Sequence, residues 1–288
     1  MLVKKNFLFL LFSIPLTLLA QRTDKKLQST IESMVQGFKG DVGIYVKNLR
    51  TNKFASYHAD SIFPTASMIK IPILIGVMDK IEKGELAYHQ ELIYTDSLLY
   101  AGIDILGSYK NGEKTTISRV MMLMLTMSDN TASLWLQSLA GTGSRINSIL
   151  DSNGFVNTRV NSRTPGRENN RTQYGWGQTT PKEMAMLMEK IYTGDMISKT
   201  ASEKMLRLLG RNYFDEVAIS QIPSSVFVAS KNGAVDQSRS ETLLVMAPRG
   251  PYVFSITTKN NQDQSWTPDN EAWVLIRKLS KFLWEYYK

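Results

Sequence analysis

The sequence predicts an α/β (α+β) protein: a five-stranded antiparallel sheet built from both chain ends with packed helices, plus an inserted all-helical lobe. Three observations predict it. β-rich runs cluster near the start (Val42–Val46, Lys53–His58) and again near the end (Val226–Ala229, Thr242–Met246, Tyr252–Ile256). From Pro64 to about Leu209 the apolar spacing is mostly helical. Finally, Trp273, Ile276, Leu279, Phe282 and Leu283 form one apolar face of a closing helix over Pro268–Tyr287.

Taken in chain order, the first segment is a sorting signal. Lys4 and Lys5 precede the apolar run Phe7–Leu19, and the small residue Ala20 stands before Gln21. Residues 1–20 therefore read as a signal peptide. This implies export, with the periplasm the expected compartment and no stable membrane span once the segment is cleaved. Leu27, Ile31, Met34, Val35 and Phe38 then recur at helical spacing up to Gly37–Gly40. A β-hairpin follows, turning at Arg50-Thr51-Asn52. Helical segments run over Met68–Lys83 to Gly84, Ser118–Met127, Thr131–Leu139 to Gly141, and Pro181–Tyr192 to Gly194. The lobes divide at residues 21–60 with 215–288 for the sheet and 61–214 for the helices. The cleft between them is the expected place for a site.

Composition excludes several function classes. Lys and Arg number 34 against 26 Asp and Glu, a formal charge of +8, but the basic residues are scattered and not clustered as a nucleic-acid surface requires. There is no cysteine, so no disulfide or thiolate metal site forms. The two histidines, His58 and His89, fit no ligand motif and lie far apart, which argues against metal catalysis and a Ser-His-Asp triad. No metal or other cofactor is expected.

Chemistry is carried by three short motifs. Ser67-Met68-Ile69-Lys70 puts a hydroxyl and an amine three residues apart on one helical face. A desolvated lysine there can act as the base that turns serine into a nucleophile. Ser128-Asp129-Asn130 supplies a hydroxyl for proton relay and an amide for substrate contact, or else an ordinary helix N-cap. Lys231-Asn232-Gly233 offers a cation for a carboxylate and a glycine permitting close backbone approach, or else a hairpin turn. Each motif alone favours its structural reading.

Together, in this chain order, S-x-x-K, S-D-N and K-x-G resemble the set held by class A β-lactamases and penicillin-binding proteins. Thr179-Thr180-Pro181 and the terminal strands with their closing helix extend the resemblance from about residue 24 to the C terminus. It implies Ser67 as nucleophile, Lys70 as its base, Ser128 as the proton donor to the departing nitrogen, and Lys231 tuning Ser128 and facing a substrate carboxylate. Asn130 would hold the substrate side-chain amide beside Asn232 and Gly233. The amides of Ser67 and Val235 would form the oxyanion hole, and Tyr100 would stand at the rim.

The chain also departs from that family. The position where the family carries its deacylating glutamate falls near Thr164, which is no base; Glu168, the one carboxylate in that loop, is either displaced into that catalytic service or a surface residue beside Arg167 and Arg171. Asn232 stands where Thr or Ser is usual. No arginine aligns plainly on the following strand, leaving Arg239 as the substitute. The leading expectation is an exported serine β-lactamase-like hydrolase working through an acyl-serine. Its alternatives are a peptidoglycan DD-peptidase that deacylates slowly and a non-catalytic envelope binding protein. The expected partner is a small β-lactam or a D-Ala-D-Ala-type peptide, with no nucleic acid, and the expected state is a monomer.

Overall fold

A computed structural model describes residues 22–288 apart from Ile103; the expected signal peptide of residues 1–20 lies outside the described residues. The main sheet has the order β1-β3-β2-β11-β10-β9. Its N-terminal strands are β1 (Arg22–Thr23), β2 (Asp41–Asn48) and β3 (Lys53–Tyr57), and its C-terminal strands are β9 (Val228–Val235), β10 (Ser238–Val245) and β11 (Tyr252–Lys259). The innermost N-terminal strand, β2, pairs with the last strand of the chain, β11, from Asn48↔Tyr252 to Asp41↔Lys259. Both chain ends are thereby joined in one ladder.

The strand count corrects the expected five to six. The extra strand is the two-residue β1, which pairs parallel with β3 through Arg22↔Lys53 and Thr23↔Phe54. Two residues are too few to show a period of two, so the sequence pattern misses it.

Side chains alternate across this sheet and feed two cores. One face (Ile44, Val46, Leu243, Val245, Phe254, Ile256) packs on Leu27 and Ile31 of α1 (Lys25–Met34) and on Leu275, Leu279 and Leu283 of α9 (Glu271–Tyr287). The other face (Tyr45, Leu244, Val253) joins the core of the helical region. At that core's centre runs α2 (Lys70–Glu82), whose residues Lys70 to Met78 are all buried. A helix that is apolar all round belongs in the interior, so the residue at its start is taken out of water with the rest.

Around α2 lie α3 (Ile117–Thr126), α4 (Asn130–Leu139), α5 (Thr142–Ser152), α7 (Pro181–Thr193) and α8 (Lys199–Leu209). Thr180 caps α7 by accepting from Glu183 N at 3.1 Å, with Pro181 in the first turn. Short strands β4 (Phe63–Pro64), β7 (Arg159–Val160) and β8 (Gly177–Thr179) form a small sheet, and β5 (Glu91–Ile93) pairs with β6 (Lys114–Thr116). The seven-residue α6 (Glu168–Tyr174) sits outside with no buried residue. Among the described residues no helix is long and apolar enough to cross a membrane.

Lys231-Asn232-Gly233 is not a turn. β9 continues through it to Val235, and the chain reverses at Asp236-Gln237 between the paired Val235 and Ser238. The Asn-Gly signal is overridden by tertiary packing. A Cβ on Gly233 would lie 2.6 Å from Thr65 O and 2.8 Å from Ser67 N, so the glycine serves close approach of the strand to the turn that carries Ser67.

Candidate active site

Ser67 lies in a 3-10 turn, Ala66–Ile69, that runs directly into α2. The tighter winding eclipses residues three apart. The Lys70 N–H donates to Ser67 O, and Lys70 Nζ stands 3.1 Å from Ser67 Oγ. The same Nζ is 2.6 Å from Ser128 O, 3.0 Å from Ser128 Oγ and 3.0 Å from Asn130 Oδ1. Burial holds the Lys70 amine well below its ordinary pKa, the positive charge of Lys231 adds to this, and Asp129 opposes it. A neutral amine has two N–H groups and one lone pair. Ser128 O and Asn130 Oδ1 can only accept, so they take the two N–H groups. In that neutral form the lone pair remains for a hydroxyl to donate to, that of Ser67 at 3.1 Å or that of Ser128 at 3.0 Å. That is the hydrogen-bond arrangement of a general base.

Ser128 owes its place to strained backbone, with φ at +56° in the left-handed region. The next residue holds that conformation. Asp129 caps α4 by accepting from Ala132 N at 2.7 Å, and its second oxygen accepts from Leu106 N at 3.0 Å. The N-cap reading of this motif is thus correct for Asp129, while Ser128 and Asn130 point their polar atoms at Lys70.

On the opposite wall, Lys231 is wholly buried and donates to Asn232 O and Asn232 Oδ1, both at 3.0 Å. Burial lowers its pKa to about 7, with Glu241 pulling the other way. The Met246 N–H donates to Phe227 O at 3.1 Å, which fixes the alternation of the β9–β10 ladder. Odd-numbered residues of β9 then turn their main-chain groups to β10, and even-numbered ones turn theirs to the open edge. This corrects the oxyanion assignment. The outward N–H next to Gly233 belongs to Ala234, whereas that of Val235 faces β10.

A cleft of about 530 Å³ opens over Ser67, lined by Ser67, Asn130, Tyr100, Trp176, Ala234 and Val235 among others. Tyr100 meets Trp176 edge to face at 5.0 Å between centroids, closing one side of the mouth. Trp176 and Ala234 escaped the sequence reading; counting the strand's period from Lys231 is the signal that finds Ala234.

Of the candidates, Ser67, Asn130, Tyr100 and Val235 line this cleft, Lys70, Ser128, Lys231, Asn232 and Gly233 do not line it, and Arg239 and Glu168 are engaged elsewhere. Arg239 is buried between Trp266 and Trp273, its guanidinium carbon 4.4 and 4.7 Å from their ring centroids. It donates to Val235 O and, at 2.8 Å, to Ser265 O. It therefore clamps the β9–β10 turn and cannot serve as a carboxylate receptor. The residue paired with Asn232 across the sheet is Glu241. Glu168 opens α6, accepts from Gly166 N at 3.1 Å, and lines a separate cavity with Asn161, Arg163, Thr164, Pro165 and Arg171. Thr164 is buried and donates to Ser162 O at 2.9 Å. None of the described residues that line the Ser67 cleft is a carboxylate. The described residues also contain no cluster of three or more His, Asp or Glu able to hold a metal.

Comparison with known proteins agrees with this geometry. The chain is 23% identical to the β-lactamase VEB-1 of Pseudomonas aeruginosa, over 100% of this chain and 99% of that protein. It is 24% identical to a β-lactamase of Streptomyces fradiae, covering 90% of this chain and 86% of that one. Among solved structures, a PBP-A variant captured as its acyl-enzyme with penicillin G is 25% identical, with a TM-score of 0.81 over 93% of this chain and 98% of its own. A class A β-lactamase from Bacteroides cellulosilyticus shares the fold, with a TM-score of 0.79 at 19% identity over 91% of this chain and 96% of its own. The sequence profile of the β-lactamase enzyme family matches residues 26–287, and the chain belongs to that family.

Proposed function

We propose that this serine β-lactamase-like hydrolase opens the amide of a β-lactam through an acyl-enzyme on Ser67. The carrying observation is the buried, charge-poor Lys70 amine set within hydrogen-bond reach of both Ser67 Oγ and Ser128 Oγ. Lys70 takes the Ser67 proton as Oγ bonds to the carbonyl carbon. The N–H groups of Ser67 and Ala234 receive the oxyanion; one such donor is worth about 2.7–4 kcal/mol. As the C–N bond breaks, Ser128 O–H passes its proton to the nitrogen and is reprotonated from Lys70. Asn130 and the β9 edge hold the rest of the substrate, with Lys231 supplying positive charge for a carboxylate.

A second reading, a penicillin-binding DD-peptidase with a long-lived acyl group, is favoured by the lack of a carboxylate among the described lining residues. Release of the ester needs a positioned water and a base, and neither Glu168 nor Thr164 supplies one to the cleft. In both readings the protein acts after export, as a monomer, in the compartment that holds cell-wall peptides.

Purified protein mixed with a fluorescent penicillin and a chromogenic cephalosporin tests both. Rapid turnover with transient label supports hydrolysis, and persistent label on Ser67 supports the second reading. Absence of any label on Ser67 refutes both and leaves a binding role.

A further inference from the structure

Glu241 is fully buried on β10, directly across from Asn232, and takes no part in the chemistry above. Its surroundings form a directed chain of hydrogen bonds. The Ala218 N–H donates to Glu241 Oε2 at 3.0 Å, and Ser230 Oγ donates to Oε1 at 3.2 Å. Having given its proton to Glu241, Ser230 Oγ accepts from Asn212 Nδ2 at 2.9 Å. The Phe214 N–H donates to Asn212 Oδ1 at 3.3 Å, which fixes that amide with its nitrogen toward the strand. Asn212 Nδ2 reaches on to Asn232 Oδ1 at 3.5 Å, where Lys231 Nζ also donates at 3.0 Å. Burial raises the Glu241 pKa to about 7, while the Ala218 N–H, the Ser230 hydroxyl and the Lys231 charge oppose this. With Glu241 ionised every link has one polarity, because a carboxylate and a carbonyl oxygen accept while N–H groups donate. With Oδ1 so committed, Asn232 has only its Nδ2 to offer a substrate, and this atom has no partner among the described residues.

We propose that Glu241 is a positioning residue: through Ser230 and Asn212 it orders the Asn232 amide so that its nitrogen is presented to an anionic oxygen of the substrate, a carboxylate in the class named above. This rests on the acyl-transfer reading for the identity of the substrate but not for the existence of the chain. Glutamine at 241 disturbs the chain in either amide orientation, at Ala218 in one and at the Ser230 relay in the other. An NH₂ group facing Ala218 N opposes a donor. One facing Ser230 Oγ opposes the hydroxyl proton, which must then turn toward Asn212.

The test has two arms on the folded, ¹⁵N-labelled protein. The Asn232 side-chain amide resonances, assigned by their loss in Asn232→Asp, are compared in the wild type and Glu241→Gln. A shift of both proton resonances is expected, and unmoved resonances overturn the proposal. In the second arm, acylation of Ser67 by benzylpenicillin and by its methyl ester is timed. Glu241→Gln lowers the second-order rate for the acid about tenfold, the weight of one hydrogen bond to a charged group, with little change for the ester. Equal loss for both substrates, or loss for neither, overturns the proposal. Should Glu241→Gln fail to fold, Ser230→Ala removes the relay and is held to the same two outcomes. If the wild type is not acylated while the resonances shift, the acyl-transfer reading fails and the positioning role stands.

Discussion

In the proposed mechanism two buried lysines divide the work by their charge. Lys70 must be neutral to accept the Ser67 proton, so acylation grows as pH rises through its folded-state pKa, which burial has moved well below the ordinary value. Lys231 must be charged to attract an anion, and its pKa of about 7 means this attraction fades as pH rises past that point. A pH profile of the acylation rate should therefore be bell-shaped for a carboxylate-bearing β-lactam, with its alkaline limb near 7. The corresponding ester should keep only the rising limb; an alkaline limb for the ester would assign it to some other group. Ser67→Ala abolishes labelling altogether. Glu168→Gln leaves the rate of label release unchanged, since its carboxyl faces a different cavity from the acyl group; faster or slower release measured by gel fluorescence would return Glu168 to the mechanism. At this scale the motif residues Ser67, Lys70, Ser128, Asn130 and Lys231 were legible because their spacing is local. Glu241 and Asn212 were not, since they meet Asn232 only through the register of a strand pair and a distant loop.

Elements place these side chains, and the placement is tight. Gly233→Ala would set a methyl against Thr65 O and Ser67 N, neither of which is a flexible side-chain end. β9 must then retreat from the nucleophile turn, pulling the Ala234 amide from the oxyanion. Acylation should fall by 10²- to 10³-fold, on the order of losing one oxyanion donor, with a far smaller effect on Tm. Equal collapse of both would mean the strand cannot be moved independently. A second clamp is Glu183 of α7. Its carboxylate accepts from the N–H groups of Val156, Asn157 and Thr158 and from Thr158 Oγ1, pinning the segment before β7. Glu183→Ala should cost about 3 kcal/mol, since bonds to a charged acceptor are lost and buried donors are left bare; differential scanning calorimetry should show Tm lower by roughly 6–12 °C. The largely apolar α2 and the capped helices with apolar faces, α4, α7 and α9, were legible in the sequence. The full reach of β9 was not, because Asn-Gly signals a turn unless a neighbour demands the glycine for contact.

At the scale of the whole molecule, the site is a seam. Ser67 and Lys70 come from the start of α2, Ser128 and Asn130 from the start of α4, and Lys231 from an edge strand near the far end of the chain. Neither core alone can hold the three in register. On heating, capacity for label and near-UV circular dichroism should therefore vanish with one midpoint; loss of labelling well below the melt would mean that the lobes part first. The sheet's assembly from both termini was legible because strand-type and helix-type periods occupy different parts of the chain. The two-residue β1 and the separation of Glu168 from the cleft depend on long-range packing that no local pattern carries. The Tyr100–Trp176 pair has a consequence for selection among substrates. A bulky acylamino group entering on that side of the mouth would press against these rings, so size should be screened at the doorway. Large congeners should then arrive slowly yet react at an ordinary pace once seated, and the half-buried indole of Trp176 should report their passage as a change in intrinsic fluorescence.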